Sequence, residues 1–112
     1  MKDYMFLFRG GSDARQASPQ DMQSQMSKWF AWIDTLKSKG YYVAGHPLTP
    51  AGKTVRGSKM IITDGAYAEG KEIVGGYFLV RADSLDHATE LAKDCPDYPL
   101  EGSVEIREIM AM

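Results

Sequence analysis

Asp64, Glu69, Lys71 and Glu72 fall within nine positions of one stretch, I-I-T-D-G-A-Y-A-E-G-K-E-I-V-G-G-Y-F-L-V-R, at residues 61–81. Carboxylates beside a lysine offer a general base and an anion-holding cation, the usual polar equipment of a small-molecule pocket. The same four residues also suit a turn held by ion pairs, with Asp64 capping the loop and Lys71 matched to an acid. His46 is one of two histidines and can form an acid–base pair with Asp64, or simply end an edge strand before Pro47. Glu105 and Arg107, two apart on a closing strand, share one face. An arginine there can grip a carboxylate through two parallel bonds, or pair with Glu105 or Glu72 to fix an assembly. The catalytic candidates are therefore His46, Asp64 and Glu69, and the substrate-binding candidates are Lys71, Glu72, Glu105 and Arg107.

Several chemistries are excluded. Two histidines without ligand spacing and one cysteine, Cys95, do not make a metal cluster, and no cofactor motif is present. Cys95 has no recognisable catalytic partner and fits a packed helix end. His87 falls in the first turn of a helix, where the dipole opposes positive charge, and reads as a surface residue. A net charge of −2 argues against nucleic acid. The run Gly75-Gly76-Tyr77-Phe78-Leu79-Val80 also lacks the basic start and alternating aromatics of an RNA-binding strand.

The elements that must position these residues follow from pattern. At 112 residues, 44% hydrophobic and 25% charged, residues 1–112 form one globular domain with a core of its own. The single cysteine excludes an internal disulfide and points to a reducing compartment, the cytoplasm. The apolar run Tyr4–Phe8 is too short for a signal segment or a membrane span. Tyr4–Arg9 reads as a strand apolar on both faces, hence central in its sheet. Ser18-Pro19-Gln20-Asp21 opens a helix with cap, N-terminal proline and dipole-matched acid. Met22, Met26, Trp29, Phe30, Ile33 and Leu36 then recur at three and four as one core stripe, and Gly40 ends it. Tyr41–Gly45 begins a second strand, which His46-Pro47-Leu48-Thr49-Pro50 continues as an edge strand or extended loop. Lys53–Thr63 is expected as a third strand and Ile73–Arg81 as a fourth. Gly75-Gly76 inside the latter suggests a bulge or close backbone approach. Ser84 caps a second helix presenting Leu85, Ala88, Leu91, Ala92 and Cys95, which Pro96 stops. Val104–Met110 closes the chain as a strand, with Val104 and Ile106 on one face and Glu105, Arg107 and Ile109 on the other.

The order is β-α-β-β-β-α-β, an α+β layer of ferredoxin-like type with both helices on one face of the sheet. The other face is rich in Tyr, Phe and Ile, so a homodimer closing over it is expected.

The run T-D-G-A-Y-A-E-G-K-E-I-V-G-G-Y resembles the YCII-related family, in its DGPF branch, whose characteristic run is roughly D-G-P-F-A-E-x-K-E-x-x-G-G-[FY]. Asp64, Gly65, Ala68, Glu69, Lys71, Glu72, Gly75, Gly76 and Tyr77 are in register, while Ala66-Tyr67 stands where the family has proline and phenylalanine. K-D-Y-M-F-L-F, Ser84–Ala88 and Gly102–Arg107 resemble the family's opening strand, second helix and closing G-x-[IV]-E-[VI]-R. The resemblance implies a dimeric α+β barrel. It also implies either a small molecule bound between the two sheets, with or without catalysis, or a non-catalytic module tied to sigma-factor-type transcriptional control. Neither a membrane nor a nucleic-acid partner is expected.

Overall fold

The computed structural model describes residues 1–10, 18–65 and 72–112. Six strands and two helices run in the order β1 (Lys2–Arg9), α1 (Pro19–Ser38), β2 (Tyr42–Pro47), β3 (Lys53–Arg56), β4 (Ile61–Asp64), β5 (Val74–Ala82), α2 (Leu85–Ala92) and β6 (Ser103–Glu108). Four of the strands form an antiparallel sheet in the order β2-β5-β1-β6, the ferredoxin-like arrangement. As its two apolar faces require, β1 is central.

Alternation along the strands sorts the two faces. Tyr4, Phe6 and Phe8 of β1 and Phe78, Val80 and Ala82 of β5 point under the helices and are buried, against Trp32 and Leu36 of α1 and Ala88 and Ala92 of α2. Aromatic rings dominate this core. Phe8 meets Phe78 edge-on at 4.8 Å and Trp29 at 4.9 Å, and Trp29 lies 5.5 Å from Trp32, geometries that add to the area they bury. Asp97 ties the loop after α2 to α1, its carboxylate accepting from Gln25 Nε2 at 2.7 Å and Trp29 Nε1 at 3.1 Å.

Both helix caps follow the sequence. Ser18 Oγ accepts from Asp21 N–H and Ser84 Oγ from His87 N–H, each at 3.1 Å. Other expectations are corrected. The stripe on α1 is narrower than its apolar content: Met22, Met26 and Phe30 are exposed, and the helix turns Trp29, Trp32, Ile33 and Leu36 inward. A helix resting on one sheet buries a limited arc, and Met26 and Phe30 fall on its flank. Leu85, in the first turn of α2, is likewise exposed. His87 is half-buried rather than superficial: its Nδ1 accepts from Asp83 N–H at 3.0 Å and its ring meets Tyr41 edge-on at 4.9 Å.

The largest correction concerns Lys53–Thr63. It is a hairpin, β3 pairing with β4 in a two-stranded sheet of its own. Gly57 (φ 76°) and Met60 (φ 53°) turn the chain, and Met60 N–H reaches Gly57 carbonyl at 3.0 Å. Glycine takes the first of these left-handed positions without steric cost. Val55, Ile61 and Ile62 of this hairpin are 60–63% exposed. The strands β4 and β5, expected as neighbours across a charged turn, therefore belong to different sheets.

Gly75-Gly76 does mark a bulge. Phe8 pairs with Gly76 and Arg9 with Val74, so Gly75 is the extra residue. No helix among the described residues is long and apolar enough to cross a membrane.

Candidate functional site

The sheet face away from the helices carries the charged residues. Register places Met5 between Leu79 and Arg107, and Leu7 between Tyr77 and Glu105. On the other side of β5, Ala44 pairs with Leu79 and His46 with Tyr77. Two rows thus cross the open face, His46–Tyr77–Leu7–Glu105 and Ala44–Leu79–Met5–Arg107. Their middles are apolar and half-buried, and their β6 ends are charged.

The charged end is built around Arg9, one residue past the buried Phe8 and so on the open face. Its Nη1 bonds Glu105 Oε1 at 2.6 Å, and its Nε donates to the Glu72 carbonyl at 3.2 Å. Arg107 Nε lies 4.0 Å from the other oxygen of Glu105. One carboxylate is shared by two guanidinium groups, and Glu72 stands beside them, so two cations meet two acids. Arg107 is the looser of the two, with 72% of its side chain exposed against 29% for Arg9. Beside them an open cleft of about 660 Å³ is lined by Arg9, Glu72, Ser103, Val104 and Glu105. A second cleft, of about 460 Å³, opens at the far end of β1 and β6 beside the start of α2, with Tyr4 and Glu108 in its wall. Burial pushes the Tyr4 phenol above its ordinary value, and the charge of Glu108 adds to the effect.

Of the residues singled out by sequence, the structure brings together Glu72, Glu105 and Arg107. His46 shares their face but stands at the opposite edge, its ring 5.8 Å from that of Tyr77. Three strand spacings, about 14 Å, separate it from Glu105. Asp64 is on the β3–β4 hairpin with its carboxylate on Lys53 Nζ at 2.7 Å. It joins neither His46 nor Arg107 in an ion pair among the described residues. Glu69 and Lys71 lie outside the described residues. No metal-competent cluster of three His, Cys, Asp or Glu side chains occurs among the described residues. Arg9 was not singled out from sequence. The signal was available: in an alternating strand Arg9 must face the side of Met5 and Leu7, away from the core.

The chain belongs to the YCII-related family, whose domain model matches residues 4–112. An uncharacterised protein of Rhizobium meliloti (strain 1021) is 39% identical over 64 residues, covering 54% of this chain and 52% of that protein. The chain thus matches about half the length of this curated relative. Among solved structures, 5-chloro-2-hydroxyhydroquinone dehydrochlorinase (TftG) from Burkholderia phenoliruptrix, in complex with 2,5-dihydroxybenzoquinone, is similar over 96% of this chain and 93% of its own. The identity is 14% and the TM-score 0.47.

Proposed function

We propose that two copies of the chain close over their open sheet faces as a dimeric α+β barrel, and that the enclosed space binds a small organic acid. The arrangement of Arg9, Glu105 and Arg107 carries this reading. It puts Arg107, loosely held and largely exposed, at the end of an apolar floor made by Met5, Leu7, Tyr77 and Leu79. A carboxylate can take the loosely held Arg107 fork through two parallel bonds, with the rest of the molecule lying on the floor. His46 brings an imidazole to the floor's other edge, the group available if the bound acid reacts.

Surface area supports the assembly. The chain exposes 8240 Å², whereas a folded monomer of this mass is expected to expose about 6,100 Å². Its radius of gyration is 15.5 Å, against roughly 13 Å for a compact domain of this length. A standard interface removes about 800 Å² per partner, so the excess is large enough for a stable dimer. The buried lone thiol of Cys95 needs no oxidising compartment, which favours the cytoplasm.

A thermal-shift screen against a library of carboxylate metabolites tests the reading. A ligand at 100 times its Kd adds about 2.7 kcal/mol to stability, and Arg107→Met should abolish that gain while leaving the dimer intact. Loss of the dimer in Arg107→Met would make the cluster scaffolding. Absence of any shift across the library would favour a non-catalytic interaction module, of the regulatory kind that the family resemblance allows.

A further inference from the structure

Every strand residue of the β3–β4 hairpin is exposed except Thr54, which is partly buried. Two-stranded hairpins are marginal on their own in water and need a surface to rest on. Register divides its side chains: Lys53, Val55, Ile62 and Asp64 share one side, and Thr54, Arg56, Ile61 and Thr63 the other. The first side is therefore an apolar cross-strand pair, Val55 and Ile62, 63% exposed, beside the ion pair of Lys53 and Asp64. The second has a single apolar residue, Ile61, and isolated exposed apolar side chains are ordinary.

The chain is a slab of 45 × 43 × 19 Å. A thickness of 19 Å holds one sheet and one helix layer, since packed layers stand about 10 Å apart. Among the described residues no element forms a third layer over the open face. The footprint of that face is smaller than one side of a standard interface. Four strands about 4.8 Å apart and eight residues long cover roughly 500 Å². A standard interface removes about 800 Å² per partner. An interface of that size must extend beyond the sheet, and among the described residues the Val55–Ile62 pair of the hairpin is an apolar strand surface left exposed.

We propose that the hairpin is an arm that clasps the second copy, its Val55–Ile62 side packing at the margin of the partner's open face. This rests on the dimer proposed above. Each binding space then has a wall supplied by the other copy, so a separated copy holds an incomplete site.

Sedimentation equilibrium of the whole chain over a range of concentrations tests it. Val55→Lys with Ile62→Lys should weaken the dimer roughly 10- to 100-fold, each tenfold corresponding to about 1.4 kcal/mol. Ile61→Lys, on the opposite side of the same hairpin, should leave the dimer as tight as wild type. Val55→Thr with Ile62→Thr keeps the β-branched shape and strand propensity while removing apolar surface, so it reports on the contact if lysines disrupt the hairpin. Weakening by the Val55 and Ile62 variants alone supports the arm. A wild-type dimer that tolerates all three variants overturns the arm and leaves the sheet-face dimer standing. A monomeric wild type overturns both.

Discussion

Three glycines in the paired strands β2 and β5 should respond very differently to a single methyl group. A Cβ on Gly45 would lie 2.5 Å from Phe78 Cδ1, 2.8 Å from the Tyr42 hydroxyl oxygen and 2.9 Å from the Tyr77 carbonyl oxygen. All three are closer than real side chains pack. The carbonyl belongs to the neighbouring strand, and Phe78 is wedged among Phe8, Trp29 and Trp32. Neither can yield without disturbing the core. Overpacking of this kind costs typically 1–3 kcal/mol, so Gly45→Ala should lose about 3 kcal/mol. A Cβ on Gly76 would meet His46 O at 3.1 Å and Pro47 Cα at 3.3 Å, a tighter fit than usual that a small strand shift can relieve. Gly76→Ala should cost about 1 kcal/mol and Gly76→Val up to about 3. Gly75 has only Phe8 O, at 3.9 Å, so Gly75→Ala should be neutral or gain up to about 0.5–1 kcal/mol through the unfolded chain. Urea denaturation resolves these differences. With an m-value near 2 kcal/mol/M, the Gly45→Ala midpoint should fall by about 1.5 M. A wild-type midpoint for Gly45→Ala, or a larger loss at Gly75 than at Gly45, would refute the packing described for β2 and β5.

Arg9→Met should cost more than the ~1 kcal/mol ceiling of an exposed ion pair at tens of micromolar protein, and less than that at dilutions where the copies separate. Equal losses at both concentrations would mean that the open face is never covered. Met26→Ala should change stability by less than about 0.5 kcal/mol, whereas Leu36→Ala should lose about 2–5; comparable losses in denaturant would return Met26 to the core. Burial pushes the Cys95 thiol from 9.0 up to about 11, a backbone hydrogen bond at Asp97 opposing the shift and the Asp97 charge adding to it. The unfolded chain then gives up this proton first, so its contribution is steady below pH 9 and is lost as pH rises toward 11. At pH 10 the loss is about 1.4 kcal/mol, and Cys95→Ala should remove that part of the decline in denaturation midpoint between pH 8 and pH 10. An identical decline in the variant would place the alkaline titration elsewhere.

Much of the fold was legible because local signals agreed with the tertiary result. Ser18-Pro19 and Ser84 mark helix starts through donors that any helix must satisfy. The doubly apolar Tyr4–Arg9 could only be a central strand, and the alternation of Val104–Arg107 sorted the faces of β6. The hairpin was missed because Lys53–Thr63 has no apolar alternation to interrupt, and Arg56-Gly57-Ser58 is a weak turn signal next to Asp64-Gly65. The helix stripe was overdrawn because periodicity reports which residues are apolar, and a single underlying sheet decides how wide an arc is buried. The site was partly legible for a similar reason. Glu105 and Arg107 follow from strand parity. The grouping of Asp64 with them assumed that the charged turn joins two strands of one sheet, which the hairpin removes. Arg9 went unnoticed because it ends an apolar run, where a charge reads as a strand terminus.

The central place of β1 also sets an order of events during synthesis. Of the sheet's four strands β1 leaves the ribosome first, yet it hydrogen-bonds to β5 and β6, and Ser103 lies roughly 90 residues after Arg9. At about 5–20 residues per second, Tyr4, Phe6 and Phe8 wait roughly 5–20 seconds for their last neighbour to appear. Through that interval three aromatic rings and two unpaired strand edges are open to other nascent chains. The pairing that finally covers them spans most of the chain, and such long-range closure folds slowly. Conditions that slow translation should therefore favour aggregation of this protein over misfolding within a single chain.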